Sequence, residues 1–357
     1  MSTHIQQLQA LWEQYRQAFL CRIERRRVQT KNIISEFGSV GAGDWKWGSG
    51  VLAPNGFIYV CPDRSTSVLK IDPTTDTTTM IGSLSTNVGK WQSCVLGFNG
   101  CVYGIPAFAT TVLKINTVDD TMTEFGSLST VGHKWRSGVS AFNGCIYGIP
   151  RNSTTILKID TNTDTITEFG NLTGTEKWWG GVLAPNGCIY GVPRNSTSVL
   201  KIDTNTDTVS LIGSISGLSK WLGGALASNG CIYCAPTAST SVLKIDTTTD
   251  ELTLLTPVLP TGSAKWRSLV SAPNGFLYGI PQDLTTVLRI DPTTDTIDVL
   301  SPIVTGLTNG NRWHGGIVAP NGSIYCAPTR AETVLKIKVN DINYPLDFCL
   351  SPFNNKL

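Results

Sequence analysis

Short apolar runs alternate with polar turns along most of the chain, and one unit shows the pattern clearly. Its predicted strands cover residues 178–186, 188–192, 198–202 and 208–212. Asn186-Gly187 is a hairpin signal between the first two strands, because both residue types tolerate a positive φ. Pro193 should end the second strand, since proline has no N–H to donate to a neighbouring strand. Runs of this length with turns between them predict four short antiparallel β-strands.

The same unit occurs seven times along the chain. Each copy has a tryptophan after Lys or Arg, an Asn-Gly pair eight residues later, and then a tyrosine and a proline at matched distances. The tryptophans are Trp47, Trp91, Trp135, Trp178, Trp221, Trp266 and Trp313, and the tyrosines are Tyr59, Tyr103, Tyr147, Tyr190, Tyr233, Tyr278 and Tyr325. Four strands in about 44 residues is the size of a β-propeller blade. The sequence therefore predicts an all-β protein with seven blades of four antiparallel strands.

The two ends of the repeat region predict how the ring closes. The seventh copy has no Thr-rich fourth strand after Lys338, whereas Ser35-Glu36-Phe37-Gly38 resembles the fourth strands of other copies. We therefore expect residues 30–39 to supply the outer strand of the last blade, which removes an open sheet edge. The predicted organisation is an arm at 1–28, a propeller at 29–338 and a tail at 339–357.

The repeat resembles that of a known family. Asn186-Gly187-Cys188-Ile189-Tyr190, followed by the Val-Leu-Lys-Ile-Asp-Thr-Asn-Thr-Asp-Thr-Val of residues 199–209, is similar to the YVTN-type propeller repeat. The resemblance covers residues 47–338, but Gly-Ile-Pro or Cys-Ala-Pro stands after the tyrosine where that family has Val-Thr-Asn. It implies a propeller with recognition or surface roles, and it implies no particular activity.

The first 28 residues follow a different pattern. Apolar side chains recur there at spacings of three and four, which is typical of an amphipathic helix with a coiled-coil-like seam. They are Ile5, Leu8, Trp12, Tyr15, Phe19 and Ile23. Such a stripe needs a surface to cover it. The chain's own propeller, a second copy and a partner protein are all compatible with the pattern.

The charges are expected to separate onto two faces of the disc. The chain has 28 Lys and Arg against 26 Asp and Glu, a net charge of +2, which excludes a strongly basic nucleic-acid coat. The propeller topology places the cations that precede the tryptophans or follow the prolines on one face, and the Asp-rich turns on the other. We therefore predict a basic face, with its lysines solvated at the strand starts, and an acidic face.

Differences among the copies point to a candidate binding surface on the basic face. The residue after each tryptophan varies, and the candidates there are Gln92, Arg136, Trp179, Arg267 and His314. Arg64, Arg151 and Arg194 follow the strand-ending prolines and complete the candidate rim. A tailored ligand surface would leave such variation, and neutral drift would look similar. An anionic ligand is the chemistry that a basic rim would take.

The remaining composition argues against catalysis. Between tryptophan and Asn-Gly no copy has a carboxylate, and His314 is the only histidine there. A metal site or an acid–base pair is therefore not predicted, and neither is an enzyme activity or a cofactor. The ten cysteines are not predicted to form a disulfide framework, since those at the repeated site interchange with Phe and Ser, and free buried thiols are expected. Together with an N-terminus unlike a signal peptide, they indicate an intracellular protein, and no apolar run is long enough for a membrane span.

These observations favour a non-enzymatic binding or assembly scaffold. Its arm would serve oligomerisation, anchoring or docking through a protein partner or self-association. By analogy, its setting would be a larger particle such as a surface layer or a virion. The first alternative is recognition of an anionic ligand (an acidic protein, a glycan or a nucleic acid) by the basic rim. The second alternative is a propeller enzyme of the lyase or lactonase type.

Overall fold

The computed structural model describes residues 33–257, 259–300, 310 and 312–339. Within these residues the chain forms seven four-stranded antiparallel sheets and no helix. The seven-bladed propeller is thus confirmed. The predicted helical arm, including its apolar stripe, and the tail beyond residue 339 lie outside the described residues.

Each sheet is a blade with one innermost strand that begins at the repeated tryptophan. The inner strands are β2 (Trp47–Leu52), β6 (Trp91–Leu96), β10 (Trp135–Ser140), β14 (Trp178–Leu183), β18 (Trp221–Leu226), β22 (Trp266–Ser271) and β26 (Trp313–Val318). The second strands are β3 (Ile58–Pro62), β7 (Val102–Pro106), β11 (Cys145–Pro150), β15 (Cys188–Pro193), β19 (Cys231–Pro236), β23 (Leu277–Pro281) and β27 (Ser323–Pro328). Inner strands of neighbouring blades contact one another, and β26 contacts β2 to close the ring.

The third and outer strands complete the blades. The third strands are β4 (Val68–Asp72), β8 (Val112–Ile115), β12 (Ile156–Asp160), β16 (Val199–Asp203), β20 (Val242–Asp246), β24 (Val287–Asp291) and β28 (Val334–Lys338). The outer strands are β5 (Thr77–Ile81), β9 (Met122–Phe125), β13 (Thr165–Phe169), β17 (Thr208–Ile212), β21 (Leu252–Leu255), β25 (Thr296–Leu300) and β1 (Ile33–Phe37). In the unit used for prediction, the fourth strand has the expected bounds, and the second extends one residue further, through Pro193.

Strand β1 closes the last blade as predicted. It pairs antiparallel with β28, from Ile33 opposite Lys338 to Phe37 opposite Val334. The first strand of the described chain therefore completes a sheet with the last one. This pairing leaves Ile33 and Lys338 at the face that carries the Asn-Gly hairpins and the third-to-outer turns, which we call the turn face. The opposite face, where the strand-ending prolines lie, is the mouth face.

A polar seam on the turn face joins one blade to the next. The Tyr147 hydroxyl donates to Oδ1 of Asp207 at 2.7 Å, and Lys158 Nζ donates to Oδ2 of the same carboxylate at 2.5 Å. Asn143 Nδ2 donates to the Tyr147 hydroxyl and to the Thr204 carbonyl. Six blade boundaries have a tyrosine and a lysine on the same aspartate, namely Asp76, Asp120, Asp164, Asp207, Asp250 or Asp295. Lysines therefore neutralise these six aspartates of the predicted acidic face.

An apolar seam joins the blades closer to the channel. In the following pairs, a large side chain of one blade lies opposite a glycine of the next blade. A Cβ on Gly138 would lie 2.6 Å from Ile105 Cδ1 of the preceding blade, so the large side chain requires a glycine opposite it. Ile149 with Gly181 and Ile280 with Gly316 repeat the arrangement. At the equivalent pair between the first two blades, Cys61 and Cys94 form a disulfide. The expectation of free thiols is wrong for this pair, and the intracellular location, which relied partly on it, stays a prediction.

Candidate functional site

The variable residue after each tryptophan lies inside the channel, below the mouth face. Arg136 and Arg267 are each 3% exposed, and Gln92 and His314 are also buried, whereas Trp179 is half-buried. The pairing of β10 with β11 shifts register between Trp135 and Ser137, so Arg136 occupies a β-bulge. A bulge re-aims the side chain of its extra residue. The candidates Gln92, Arg136, Trp179, Arg267 and His314 are therefore gathered from five different blades into one cluster, which we call the throat.

Arg136 is the centre of the throat. Its Nη2 lies 2.7 Å from His314 Nε2, and its Nη1 donates to the carbonyl and to Oε1 of Gln92 at 3.2 Å each. Because a guanidinium has only donors, His314 must accept at Nε2 and carry its proton on Nδ1. Burial, followed by the charges of Arg267 and Arg136, holds the pKa of His314 well below its usual value. The throat histidine is thus a neutral hydrogen-bond donor.

Four guanidiniums surround the indole of Trp179. The Cζ atoms of Arg136, Arg151 and Arg194 lie 4.5, 4.7 and 4.7 Å from its ring centre, and that of Arg267 lies at 5.8 Å. Each such contact stabilises by about 0.5–2 kcal/mol, depending on desolvation. The guanidiniums nevertheless repel one another. Burial lowers the pKa of Arg267 to about 9 and that of Arg151 to about 10, so the cluster holds its positive charge at a free-energy cost.

Three carboxylates partly balance these cations. Glu176 bridges Arg151 and Arg194 at the mouth face. Asp63 is buried and accepts from Gln92 Nε2 at 3.1 Å, and burial raises the pKa of its carboxyl group. A third carboxylate, Asp283, also acts on Arg267 through its charge, so four guanidiniums against three carboxylates leave a formal excess of one positive charge.

A small cavity of about 10 Å³ lies in the throat, lined by Arg136, Trp179, Arg267 and His314 together with Leu222, Gly223, Ser268 and Gly315. This volume admits one water-sized group. Three N–H groups of the lining residues are buried and have no hydrogen-bond partner among the described residues: Arg136 Nε, Trp179 Nε1 and His314 Nδ1. Leaving one buried donor unsatisfied costs about 1–3 kcal/mol, so three around one cavity point to an acceptor that belongs there.

Two of the three other predicted rim residues lie at the site, and one does not. Arg151 and Arg194 join the cluster, while Arg64 is exposed and influences Asp63 only through its charge. Sequence reasoning missed Glu176 and His133 as site residues. Both stand two residues before a repeated tryptophan, and both have a positive φ of 53°. The same rule of variation within the repeat, applied to that position, would have found them.

The lysines before the tryptophans are not solvated, which corrects the prediction. Lys177 is 3% exposed, and its Nζ donates to the carbonyls of Ser153 and Gly174 at 2.8 and 2.9 Å. Burial lowers its pKa to about 8. Its buried counterparts are Lys46, Lys90, Lys134, Lys220, Lys265 and Arg312. These cations hold neighbouring loops together, and among the described residues Arg64, Arg151 and Arg194 are more exposed at the mouth than these lysines.

Residues 33–257, 259–300, 310 and 312–339 contain no group of three or more His, Cys, Asp or Glu side chains that could hold a metal ion. The same part of the chain has no helix long and apolar enough to cross a membrane.

Comparison with known proteins supports the fold. Residues 183–347 match the family model of a repeat of unknown function, DUF6923. No curated protein sequence matches the chain. A streptogramin B lyase structure is similar, with a TM-score of 0.72 and 16% identity over 87% of this chain and 98% of that one.

Two further solved structures share the fold. An inactive histidine-to-alanine variant of virginiamycin B lyase from Staphylococcus aureus with quinupristin has a TM-score of 0.73 and 12% identity, over 87% of this chain and 100% of that one. The extracellular domain of the hybrid two component system BT4673 from B. thetaiotaomicron has a TM-score of 0.63 and 11% identity, over 86% of this chain and 40% of that one. Enzymes and sensor domains thus occur among the similar structures, and at these identities the likeness shows the fold alone.

Proposed function

We propose that this propeller is a non-enzymatic recognition module that binds an acidic group, a carboxylate or a phosphate, at its channel mouth. The observation that carries the proposal is the set of unpaired donors in the throat. Arg136 Nε, Trp179 Nε1 and His314 Nδ1 are buried donors of residues that line a cavity that admits one oxygen atom. An anionic oxygen would accept from them, and charge-assisted hydrogen bonds are about twice as strong as neutral ones.

The electrostatics support the same ligand class. The excess of guanidinium charge lies where burial already makes that charge unfavourable, so a bound anion would relieve repulsion among Arg136, Arg151 and Arg267. Arg151 and Arg194 remain half-buried at the mouth, where they can reach the rest of the ligand. Arginine forks suit carboxylate and phosphate oxygens because of their planar pairs of donors.

The test is a thermal and calorimetric titration of the full chain with inorganic phosphate and with succinate, using chloride as the control anion. At a hundred times the Kd, a bound anion stabilises by about 2.7 kcal/mol, which corresponds to about 4 °C for a propeller of this length. Arg151→Gln and Trp179→Phe should remove most of this shift, the first by deleting a cation and the second by deleting one donor while keeping the ring.

Arg289→Gln is the matched control, since Arg289 pairs with Asp298 within its own blade, away from the throat. It should titrate like the wild type. If neither anion shifts the melting temperature, or if all three variants lose the shift equally, the throat does not bind anions.

The assembly role suggested by residues 1–28 remains a separate proposal, which rests on the apolar pattern of the arm. The described chain begins at Ile33 and ends at Val339, both at the turn face, which is opposite the mouth face. Native mass spectrometry of the chain with and without residues 1–28 tests it, and a monomer in both cases would count against it.

A further inference from the structure

An exposed apolar patch lies on the mouth face, made by Val88, Phe108 and Val131. It lies beside the four arginines that surround Trp179, which we call the arginine cluster. These side chains are 61%, 40% and 64% exposed. The Phe108 ring lies between two loop backbones, since a Cβ on Gly89 or on Gly132 would come within 2.4 Å of it. Val88 and Val131 immediately precede these two glycines in the chain and are exposed in the same two loops.

The patch is physically connected to the cationic site. The ring centres of Phe108 and His133 are 4.3 Å apart, and His133 Nδ1 lies 2.6 Å from Arg151 Nη1. Burial lowers the pKa of His133 to about 4, so the imidazole stays neutral and accepts from the guanidinium. Arg151 in turn contacts the Trp179 ring. An apolar surface and a cation-rich mouth therefore adjoin each other with His133 between them.

The phenylalanine is particular to one blade. The equivalent residues of the other blades are Arg64, Asn152, Asn195, Ala238, Asp283 and Arg330. The ring packs on its loop neighbours and still leaves 40% of the side chain exposed at this position. Exposed apolar groups rimmed by charge are typical of interaction sites.

We propose that the ligand of this site is an extended peptide segment of a partner protein, with an Asp or Glu in the arginine cluster and an apolar side chain on Phe108. The proposal rests on the anion-binding function above and names its ligand. The contacts through His133 place the Phe108 ring within about 8 Å of the Arg151 guanidinium, a distance that two residues of an extended chain can span. The acidic and apolar side chains would therefore be residues i and i+2.

The test uses three end-blocked peptides, Gly-Asp-Gly-Phe-Gly, Gly-Asp-Gly-Gly-Gly and Gly-Asn-Gly-Phe-Gly, titrated calorimetrically into the full chain. The first should bind about tenfold more tightly than the second, because the phenylalanine buries apolar area on Phe108. The third should bind at least tenfold more weakly than the first, because it lacks the charge.

Two variants make the result specific. In Phe108→Ser, and in Val88→Ser/Val131→Ser, the affinity ratio between the first two peptides should fall close to one. Val118→Ser is the matched control, because Val118 is 91% exposed in a turn of the opposite face, and it should keep the tenfold ratio. Far-UV circular dichroism and the melting temperature verify that each variant is folded.

The outcomes separate the two proposals. Equal binding of both Asp peptides overturns the apolar subsite and leaves the anion site standing. Binding of phosphate without binding of either Asp peptide overturns the peptide ligand alone. If neither phosphate, succinate nor any peptide binds, both proposals fail together.

Discussion

Asp207 offers the sharpest test of how the blades are held together. It closes one third-to-outer turn with a φ of 55°, a left-handed conformation that Asp, Asn and Gly tolerate better than other residues. Its carboxylate accepts from Tyr147 and Lys158 of the preceding blade at 2.7 and 2.5 Å. One residue thus combines a backbone requirement with two contacts across a blade boundary, and a series of substitutions separates them.

The expected losses follow from these contacts. A tyrosine–carboxylate hydrogen bond contributes about 1.5–3 kcal/mol, and a half-exposed lysine pair adds about 0.2–1 kcal/mol. Alanine at positive φ costs about a further 1 kcal/mol. Asp207→Ala should therefore lower the free energy of unfolding by about 3–5 kcal/mol, and Asp207→Gly by about 1 kcal/mol less. Asp207→Asn retains an acceptor and the turn, so it should lose only about 1–2 kcal/mol.

Urea unfolding followed by tryptophan fluorescence and circular dichroism measures the series. Asp298→Ala is the control, since it breaks a pair with Arg289 that stays within one blade, and it should lose less than about 1 kcal/mol. If Asp207→Ala were no worse than this control, the polar seam would contribute little. A glycine variant less stable than the alanine variant would refute the backbone part of the reasoning.

Three other results are expected from the described contacts. The buried His314 is neutral and its pKa is lowered from 6.5, so the unfolded chain takes up the proton as the pH falls. Between pH 6.5 and 5, wild type should therefore lose about 1.6 kcal/mol more stability in total than His314→Gln, and parallel profiles would contradict this. Removing the Cys61–Cys94 disulfide, which spans 33 residues, should lower the unfolding free energy by about 4 kcal/mol, and a reductant should then have no further effect on the Cys61→Ser variant. Gly138→Ala should lower the free energy of unfolding by about 1–3 kcal/mol through its clash with Ile105. The double variant with Ile105→Ala should be at least about 1 kcal/mol more stable than the sum of the two single losses predicts, and purely additive losses would argue against the size matching of the apolar seam.

The fold was largely predictable because a repeat multiplies a weak local signal. A single Asn186-Gly187 hairpin or a single Pro193 would be ambiguous, but seven copies at one spacing leave few architectures. Ring closure was predictable for a related reason. The strand that ends at Phe37 matches the missing fourth strand of the last blade, and the structure pairs it with β28.

The energetics of the repeated polar residues were not predictable in the same way. The sequence shows that Lys177 and Asp207 recur, and local pattern suggests a solvated lysine and a simple turn. Only the packing of one blade on the next shows that Lys177 is enclosed by loop carbonyls, and that Asp207 receives a tyrosine and a lysine from its neighbour. The tyrosine and the lysine that contact Asp207 both belong to the preceding repeat.

The repeat, the strand order, the closure and the positions that vary all follow from the amino-acid sequence. It named Arg136, Trp179 and His314 because they differ from their counterparts in the other copies. Only the tertiary structure decided what those differences mean, since the ring brings one residue from each blade to a common axis and removes it from water. Burial then turns a scattered set of arginines into a positively charged throat with unpaired donors, and that property belongs to the closed ring rather than to any one repeat.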